Sequence, residues 1–480
     1  MRAMPTPRWP PNKVAGLKTD YLIIGSGCSG LAFADTLLDQ TDAHIVIADR
    51  HAKPGGHWND AYQFVRLHQP SAYYGVNGLE LSDGSIDDTG LNRGLLHLSS
   101  GPQVSAYFET VMERRLLPSG RVSFLPLTEW LSGGRLRNIL GGEEYEVSYR
   151  KLVDSTYYGT TVPSTHAPKF EVSGGASLVP PNDLPALWKR PDAVPSAFVI
   201  LGSGKTGMDA VAWLLQAGVP QQAIHWVRPR DAWLLNRAKL QPGLANFEIA
   251  VGALVALMTA WAEASDVEDL FDRLEAADYV FRIDRDTRPS MYHYATTSRA
   301  EIDLLATVEN VIRDGHVKRI WPGRLVFENG ERAVPDDALF VDCTAPAITR
   351  NPPVPLWHDR TITLQMIRIP QPAFSAALTA FIEARFDDNE KKNALARPIP
   401  LPDAIGDYPA ASLVGMMNQR AWNEEPDIRE WMNGSRLDGF SGVIAGIAED
   451  DTPRRELLKR MRAQGPAAFA NLMRLVQAQG

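Results

Sequence analysis

Short apolar runs that end at glycine-rich turns are the most regular feature of the chain. One run covers residues 21–24 (YLII) and another covers residues 198–201 (FVIL). Uninterrupted apolar runs of this length are typical of strands buried inside a parallel sheet. After the first turn, residues 31–38 continue with apolar positions at helical spacing. The pattern therefore predicts two strand–loop–helix units in distant parts of the chain.

The first glycine-rich turn has the spacing G-x-G-x-x-G. In dinucleotide-binding folds its glycines make a tight turn, admit a pyrophosphate to the backbone and let the helix pack on the strand. The next apolar run, HIVIA, ends at Asp49, where an acid accepts hydrogen bonds from a ribose. An isolated glycine pattern is an ordinary turn, but here strand, helix, second strand and acid all follow in order. The predicted dinucleotide site comprises Gly25, Ser26, Gly27, Cys28, Ser29, Gly30, Asp49 and Arg50.

The second turn repeats the glycine spacing, but the strand after it ends at arginines in place of an acid. Arginine in this position is typical of a site for a ribose 2′-phosphate, so NADPH is favoured over NADH. The alternative is that these arginines lie on a surface turn. A nucleoside-triphosphatase loop is excluded, because that motif needs a glycine where Val199 stands. The predicted second site comprises Gly202, Ser203, Gly204, Lys205, Thr206, Gly207, Arg228 and Arg230.

Composition narrows the class of partner. The net charge of −8 argues against nucleic acid or an anionic membrane as the main partner. The two cysteines, Cys28 and Cys343, give no disulfide framework, so we expect a cytoplasmic protein. The first twenty residues lack the apolar core of a signal peptide.

The apolar stretch 249–262 is interpreted as a buried helix too short to span a bilayer. The ten histidines show no metal-ligand spacing, so no metal is predicted.

Beyond the two loops, the sequence resembles the two-domain flavoproteins, and most closely the flavin-containing monooxygenases. The resemblance is carried by PGGHW at 54–58, VRLHQPS at 65–71, KLVDST at 151–156, FVDCTA at 340–345 and QPAFS at 371–375. It implies FAD in the first site and a helix after residue 371 whose N-terminus points at the flavin pyrimidine ring. It also implies polar residues beside the isoalloxazine at 65–71. The further cofactor-binding residues that it implies are Gly56, His57, Trp58, Thr344, Gln371 and Phe374.

Several departures from the family bear on the reaction. The histidine of the Baeyer–Villiger fingerprint is missing from the segment before the second loop, which puts ketone oxygenation in doubt. The flavin-side asparagine of relatives is replaced by His68 or Gln69, our candidate catalytic residues. A histidine near a flavin peroxide can hold or relay a proton because its ordinary pKa lies close to neutral. A structural role for His57 and for His68 remains open.

The function expected from these features is that of an FAD- and NADPH-dependent monooxygenase. It would act on a small organic substrate and O₂ through a flavin C4a-(hydro)peroxide. A C-x-x-C pair is missing, which argues against a thioredoxin-reductase type of enzyme. Two alternatives stay open: an NAD(P)H-dependent flavin reductase or dehydrogenase without oxygen insertion, and a cofactor-binding protein without turnover. The substrate and the oligomeric state are not predicted.

The predicted fold class is α/β, with two Rossmann-like dinucleotide-binding domains and a helical C-terminal region. The NADP domain is expected to be inserted in the FAD domain. The predicted FAD domain comprises residues 1–194 and 337–400. The NAD(P) domain covers 195–336 with a helical insertion at about 241–285, and the helical C-terminal region covers 401–480.

Overall fold

The computed structural model describes residues 16–189 and 194–479. Residues 1–15 and 190–193, which we assigned to the FAD domain, lie outside this range. The strands are β1 (Leu17–Ile24), β2 (Ile45–Ala48), β3 (Val122–Leu125), β4 (Thr128–Ser132), β5 (Arg135–Asn138), β6 (Glu144–Asp154), β7 (Glu171–Val172), β8 (Leu178–Val179), β9 (Phe198–Leu201), β10 (Ile224–Val227), β11 (Ala232–Asn236), β12 (Val280–Phe281), β13 (Met291–Thr297), β14 (Val311–Ile312), β15 (Arg319–Trp321), β16 (Arg324–Phe327), β17 (Gly330–Ala333), β18 (Leu339–Asp342), β19 (Trp357–His358) and β20 (Thr361–Thr363). The helices are α1 (Cys28–Gln40), α2 (Gly101–Val111), α3 (Leu184–Leu187), α4 (Lys205–Gln216), α5 (Phe247–Glu263), α6 (Val267–Ala276), α7 (Arg299–Leu305), α8 (Pro372–Arg385), α9 (Asn389–Leu395), α10 (Tyr408–Glu424), α11 (Pro426–Gly434), α12 (Ser441–Ala445) and α13 (Thr452–Gln477).

The first sheet contains the first predicted strand–loop–helix unit. Its order is β19-β20-β6-β1-β2-β3, and the β4–β5 hairpin joins it at β6. The strands from β20 to β3 run parallel, as the apolar runs predicted. Helices α1 and α8 pack against each other on this sheet, with Leu31, Phe33, Phe374 and Leu378 fully buried.

The second sheet has the order β14-β10-β9-β18-β8, and all of its strands run parallel. Strands β8 and β18 lie outside the predicted bounds 195–336 of the NAD(P) domain, so this domain begins earlier and ends later than we predicted. The reason is burial: Leu339 to Asp342 are buried on both faces, which fits a central strand between β9 and β8. The return to the first sheet is made by β19 and β20.

Helices α5 and α6 fall within the range 241–285 that we predicted to be helical, and C-terminal helices pack on them. Helix α13 lies along α5 and also contacts α10. Leu472 and Leu475 of α13 join the core of the insertion, whereas Trp422 and Met432 of α10 and α11 join the core of the first sheet. The predicted C-terminal region therefore completes two separate cores and is not an independent unit.

Helix α5 is longer than its sequence predicted. Together with the turn before it, Leu244–Glu263 forms the one helix of the described residues that is long and apolar enough to cross a membrane. This corrects our expectation that the stretch is too short. Of its most apolar window, 44% is buried inside the protein. The less buried positions are mixed: Glu248 and Glu263 are exposed, and so is Ile249, which is 52% exposed.

Candidate functional site

Helix α1 starts directly from the first glycine-rich loop. Its N-cap is Gly27, and no side chain among the described residues caps it. A Cβ on Gly30 would lie 2.2 Å from the Gly25 carbonyl oxygen, so the helix packs directly on the turn. In contrast, Ser100 and Ser298 close the first turns of α2 and α7 with capping boxes. Unpaired N–H groups and the helix dipole make the start of α1 suited to a pyrophosphate.

The second loop has the same geometry. Helix α4 starts at Lys205 behind the N-cap Gly204, which has no side-chain cap in the described part of the chain. A Cβ on Gly207 would lie 2.2 Å from the Gly202 carbonyl oxygen, as at Gly30. A Cβ on Gly204 would point into open space. Ser203 and Thr206 are partly exposed beside it, so a dinucleotide has room to approach these amides.

The acid predicted to bind a ribose is held in a dense hydrogen-bond network. Asp49 accepts from the Ser26 N–H at 2.6 Å and the Ser26 hydroxyl at 2.7 Å. It also accepts from the His51 N–H at 2.8 Å and lies 2.9 Å from His51 Nδ1. These contacts use the four lone-pair positions of a carboxylate, so a ribose hydroxyl must replace one of them. Arg50, next in sequence, is exposed.

His51 was not predicted as a site residue. Its Nε2 lies 2.8 Å from Asp60 Oδ2, so the ring joins two carboxylates. The hydrogen bond to Asp49, together with the charge of Asp60, raises the pKa of His51 to about 9. Burial opposes ionisation of Asp49, but the hydrogen bonds from His51 and Ser26 lower its pKa below the ordinary value. The ring is therefore an imidazolium at neutral pH.

The two predicted 2′-phosphate arginines differ in environment. Strand pairing aligns Ala48 with Ile24 and Val227 with Leu201, so Arg228 occupies the place that Asp49 has in the first unit. Arg228 is buried, stacks on Trp226 at 4.7 Å and forms an ion pair with Asp231. Burial, reinforced by the nearby Arg313, lowers its pKa to about 10. Its charge is therefore already compensated within the protein.

Arg230 remains accessible at the surface. Its side chain is 44% exposed, and Nη1 lies 3.1 Å from Asp403 Oδ2. Arg350 and His293 approach the same carboxylate, at 3.6 Å and 2.8 Å. Three basic side chains thus meet one acid close to the end of β10, and Arg230 is the more exposed of the two predicted arginines.

Lys205 turns away from the loop in which it lies. Its Nζ pairs with Asp209 and lies 3.3 Å from Glu301 Oε1. Burial opposes its charge, but Asp209 and Glu301 raise its pKa above the ordinary value. The ammonium of Lys205, a residue of the predicted second site, is thus engaged inside the protein. The spacing of Lys205 and Asp209, four residues apart on a helix, is the signal in the sequence that indicates this pairing.

The PGGHW segment contacts the first loop directly. The Gly55 N–H donates to the Ser26 carbonyl at 2.8 Å, and a Cβ on Gly56 would lie 2.9 Å from the Gly27 Cα. The His57 ring stacks on Trp58, whose Nε1 donates to the Tyr74 hydroxyl at 2.7 Å. Burial lowers the pKa of His57 to about 4. Gly55 and Gly56 therefore pack against the first loop.

The candidate catalytic residues lie on the same segment, farther along. Burial, and then the charge of Lys205, lowers the pKa of His68 to about 4, so the ring is neutral at physiological pH. This corrects the expectation of a near-neutral pKa. The Gln69 side-chain amide donates to the Pro370 carbonyl at 3.1 Å, which directs it toward the start of α8. The His68 carbonyl accepts from Arg237 Nε at 2.7 Å.

The remaining predicted residues lie behind the loops. Thr344 donates from its N–H and its hydroxyl to Asp342, which closes the end of β18. Gln371 is the N-cap of α8, and none of the described side chains caps that helix. Phe374 is fully buried beneath the Arg368 guanidinium, 3.7 Å from the ring centroid. Its side chain fills the core, so only its backbone in the first turn of α8 is placed for a ligand.

The two thiols lie in different surroundings. Cys28 is buried in the first turn of α1, and burial raises its pKa to about 11. Cys343 is buried after β18, where burial also raises the pKa of its thiol well above the ordinary value. Both are therefore protonated thiols. The described ranges contain no group of three or more histidine, cysteine or acidic side chains arranged to hold a metal ion.

Comparison with known proteins places the chain in a family. Residues 23–84 match the family model described as an NAD(P)-binding Rossmann-like domain. Over 477 residues the chain is 39% identical to the uncharacterized protein Rv2000 of Mycobacterium tuberculosis, covering 99% of this chain and 87% of that protein. The chain belongs to the family of this mycobacterial protein. The uncharacterized protein Mb2023 of Mycobacterium bovis is a member with the same identity and coverage.

Among solved structures, the family fold is shared by the polycyclic ketone monooxygenase from the thermophilic fungus Thermothelomyces thermophila. The two have a TM-score of 0.50 and 12% identity, and the match covers 94% of this chain and 89% of that chain. This likeness confirms the predicted α/β fold class, with its two Rossmann-like domains.

Proposed function

We propose that this protein is an NADPH-dependent, FAD-containing monooxygenase that oxygenates a small organic substrate. The observation that carries the proposal is the course of residues 54–69 between the two loops. At one end, Gly55 donates to the first loop through the Ser26 carbonyl. At the other, the Tyr62 hydroxyl donates to Asp209 of α4 at 2.7 Å, and Phe64 stacks on Trp213. A flavin on the first loop and a nicotinamide on the second would approach this segment from its two sides.

The residues around the first loop fit FAD. The amides at the start of α1 would hold the pyrophosphate, and the uncapped N-terminus of α8 would face the electron-rich end of the flavin. Asp49 would bind the adenosine ribose in exchange for one of its present partners. When bound, FAD supplies a hydride acceptor that also reacts with O₂.

The chain supplies hydrogen-bond donors and shelter beside the flavin. A neutral His68 ring donates one hydrogen bond from its N–H and stays uncharged throughout the physiological range. A neutral donor of this kind stabilises negative charge that develops near it. Only the backbone of His68 is held by a described contact, the hydrogen bond from Arg237 to its carbonyl.

The 2′-phosphate of NADPH is assigned to Arg230 in preference to Arg228. Replacing Arg230 by alanine should raise the KM for NADPH about ten- to a hundredfold, because a charge-assisted contact is worth about 1.5–3 kcal/mol. The KM for NADH should change little. Arg228→Ala, in contrast, should mainly lower the melting temperature, since it leaves Asp231 buried without this partner. Equal wild-type efficiency with NADPH and NADH would contradict the assignment.

The two thiols argue against a flavin reductase of the dithiol type. Such an enzyme needs a thiolate, and burial raises the pKa of both Cys28 and Cys343. The fold shared with a ketone monooxygenase supports oxygenation by analogy. Because the histidine of the Baeyer–Villiger fingerprint is missing, the proposal does not include a type of substrate.

Stopped-flow reoxidation tests the proposal. Protein loaded with FAD and reduced by NADPH is mixed with oxygenated buffer, with and without NADP⁺ and candidate substrates. We expect a transient near-ultraviolet absorbance that NADP⁺ prolongs and a substrate shortens, together with an oxygenated product in the mass spectrum. A direct return to oxidised flavin with stoichiometric peroxide for every substrate would favour the reductase. A purified protein that NADPH does not bleach would favour a cofactor-binding role.

A further inference from the structure

Four charged side chains form a buried cluster between the second loop and the 54–69 segment. They are two cations and two anions, so the cluster is neutral as a whole. Their side chains are 1% to 15% exposed. The members are Lys205, Asp209, Arg237 and Glu301.

Lys205 is the point at which the two anions meet. It pairs with Asp209 on its own helix and lies 3.3 Å from Glu301 of α7. Its backbone belongs to the glycine-rich loop, while its ammonium belongs to the cluster. An ordered loop therefore fixes the ammonium, and a displaced ammonium leaves both anions without their common partner.

Each anion is connected by hydrogen bonds to one residue of the 54–69 segment, Asp209 directly and Glu301 through Arg237. Glu301 Oε2 lies 2.7 Å from Arg237 Nη1, and Arg237 Nε donates to the His68 carbonyl at 2.7 Å. Asp209 Oδ2 accepts from the Tyr62 hydroxyl at 2.7 Å. Burial opposes ionisation of Glu301, but Lys205 and Arg237 outweigh it and lower its pKa below the ordinary value. Glu301 therefore stays ionised at neutral pH and pairs with Arg237.

We propose that Arg237 and Glu301 are positioning residues that connect the second dinucleotide loop, through Lys205, to the backbone of His68. A dinucleotide on loop 202–207 thereby fixes the segment beside the first loop. This inference rests on the proposed function in one respect, namely that a nicotinamide dinucleotide binds at loop 202–207. In this arrangement Lys205 does not bind a phosphate but connects loop 202–207 to the 54–69 segment through Asp209 and Glu301.

Hydrogen exchange of the FAD-loaded protein with and without saturating NADP⁺ tests this connection. The informative amides are those of Val65 and Leu67, which donate to the Tyr62 and Ser99 carbonyls. In the wild type we expect NADP⁺ to slow their exchange by about tenfold, a modest coupling between two sites. In Glu301→Gln the protection at Leu67 should be lost. In Tyr62→Phe it should be lost near Val65 and kept at Leu67.

Two further variants serve as tests. One asks whether the Lys205 ammonium carries the connection or only binds phosphate, and the other controls for a general loss of stability. Lys205→Met should abolish protection at both amides while NADP⁺ still binds; a variant that keeps full protection overturns the inference. The control is Glu383→Gln, which removes a buried carboxylate that holds Lys151 and Lys392 near the C-terminal end of α8. It should lower the melting temperature and leave the NADP⁺-dependent protection unchanged; equal loss of protection in this control overturns the inference.

Calorimetric titration with NADP⁺ distinguishes failure of the proposed function from failure of the inference alone. If NADP⁺ does not bind the wild type, the proposed function fails and the inference fails with it. If NADP⁺ binds but leaves Val65 and Leu67 unprotected, the inference alone is overturned. Turnover gives an independent check: Glu301→Gln should lower kcat about tenfold or more with a smaller change in the KM for NADPH, as expected when geometry and not affinity is lost.

Discussion

His51 is the residue that gives the first dinucleotide site its present shape. Its ring lies between Asp49 and Asp60, and its own N–H also donates to Asp49. Because Asp49 in turn accepts two hydrogen bonds from Ser26, the ring fixes the acid against the glycine-rich loop. A protonated His51 thus supports the orientation of the loop through a single carboxylate.

This arrangement predicts a stability that falls at alkaline pH. The folded-state pKa of about 9 lies above the ordinary 6.5, so the contribution of His51 is complete below pH 6.5 and is lost as the pH rises through 9. The contribution of protonated His51 to the free energy of unfolding is at most about 3 kcal/mol. Urea unfolding of wild type and His51→Gln should differ most near pH 6 and converge above pH 9.5. A difference that is constant with pH would refute the prediction.

At this scale the sequence predicts which residue types end the strands, but not how their charges are compensated. Asp49 and Arg228 were found from spacing alone, because the motif fixes their place after a strand. The partner of Arg228, Asp231, lies on the following turn, and Arg313 comes to the same carboxylate from β14. Such pairs depend on the folded arrangement of distant segments, so the sequence alone does not predict that Arg228 is engaged and Arg230 exposed.

Among the elements, helices α1 and α4 were predictable because their signals are local. A glycine turn, an apolar strand and a helical repeat all fall within about thirty residues. The boundaries of the second domain were not predictable in this way. Strands β8 and β18 have two and four residues. Their place in the second sheet is set by pairing, of β18 with β9 and of β8 with β18, and not by their own pattern. The sequence therefore predicts the two strand–loop–helix units but misplaces the points at which the chain passes from one domain to the other.

The close contact of each helix with its turn predicts a specific effect of adding a methyl group. In Gly30→Ala or Gly207→Ala the new Cβ would lie 2.2 Å from a backbone carbonyl oxygen that cannot move aside. We expect a loss of about 1–3 kcal/mol in stability, and weaker retention of FAD for Gly30→Ala. The control is Gly252→Ala in α5, where the Cβ would meet open space. It should be neutral or stabilising by about 0.5–1 kcal/mol. Equal melting temperatures for all three variants would contradict this account.

For the whole molecule, the C-terminal helices tie the two domains together. Trp422 packs in the core of the first sheet, and Leu472 packs with the insertion of the second domain. The apolar spacing of these helices predicted burial but not the surface that each helix covers. That choice is made by side chains from distant parts of the chain, which no local pattern encodes.

Arg436 makes the most extensive of these connections to the candidate site. Its guanidinium donates to the carbonyls of Ala72 at 2.9 Å, Tyr74 at 2.8 Å and Leu79 at 2.9 Å, and to that of Val76. The Tyr74 hydroxyl in turn accepts from Trp58 of the PGGHW segment. The C-terminal region thus fixes the backbone behind the PGGHW segment through one side chain.

Replacing Arg436 by alanine should therefore affect both stability and the retention of FAD. Four backbone carbonyls lose a charged donor at once, and hydrogen bonds of this kind contribute about 1.5–3 kcal/mol each with strong non-additivity. We expect a loss of at least about 3 kcal/mol in the free energy of unfolding, and release of FAD at a lower temperature than the unfolding of the second domain. Thermal unfolding followed by flavin fluorescence and by circular dichroism measures both. The matched control is Arg420→Ala, which removes an exposed arginine that pairs with Glu424 on the surface of α10 and should change stability by less than about 0.5 kcal/mol. If Arg436→Ala matches this control in both measurements, the C-terminal helices do not hold the site through Arg436, and their contribution rests on the apolar contacts of Trp422 and Met432 alone.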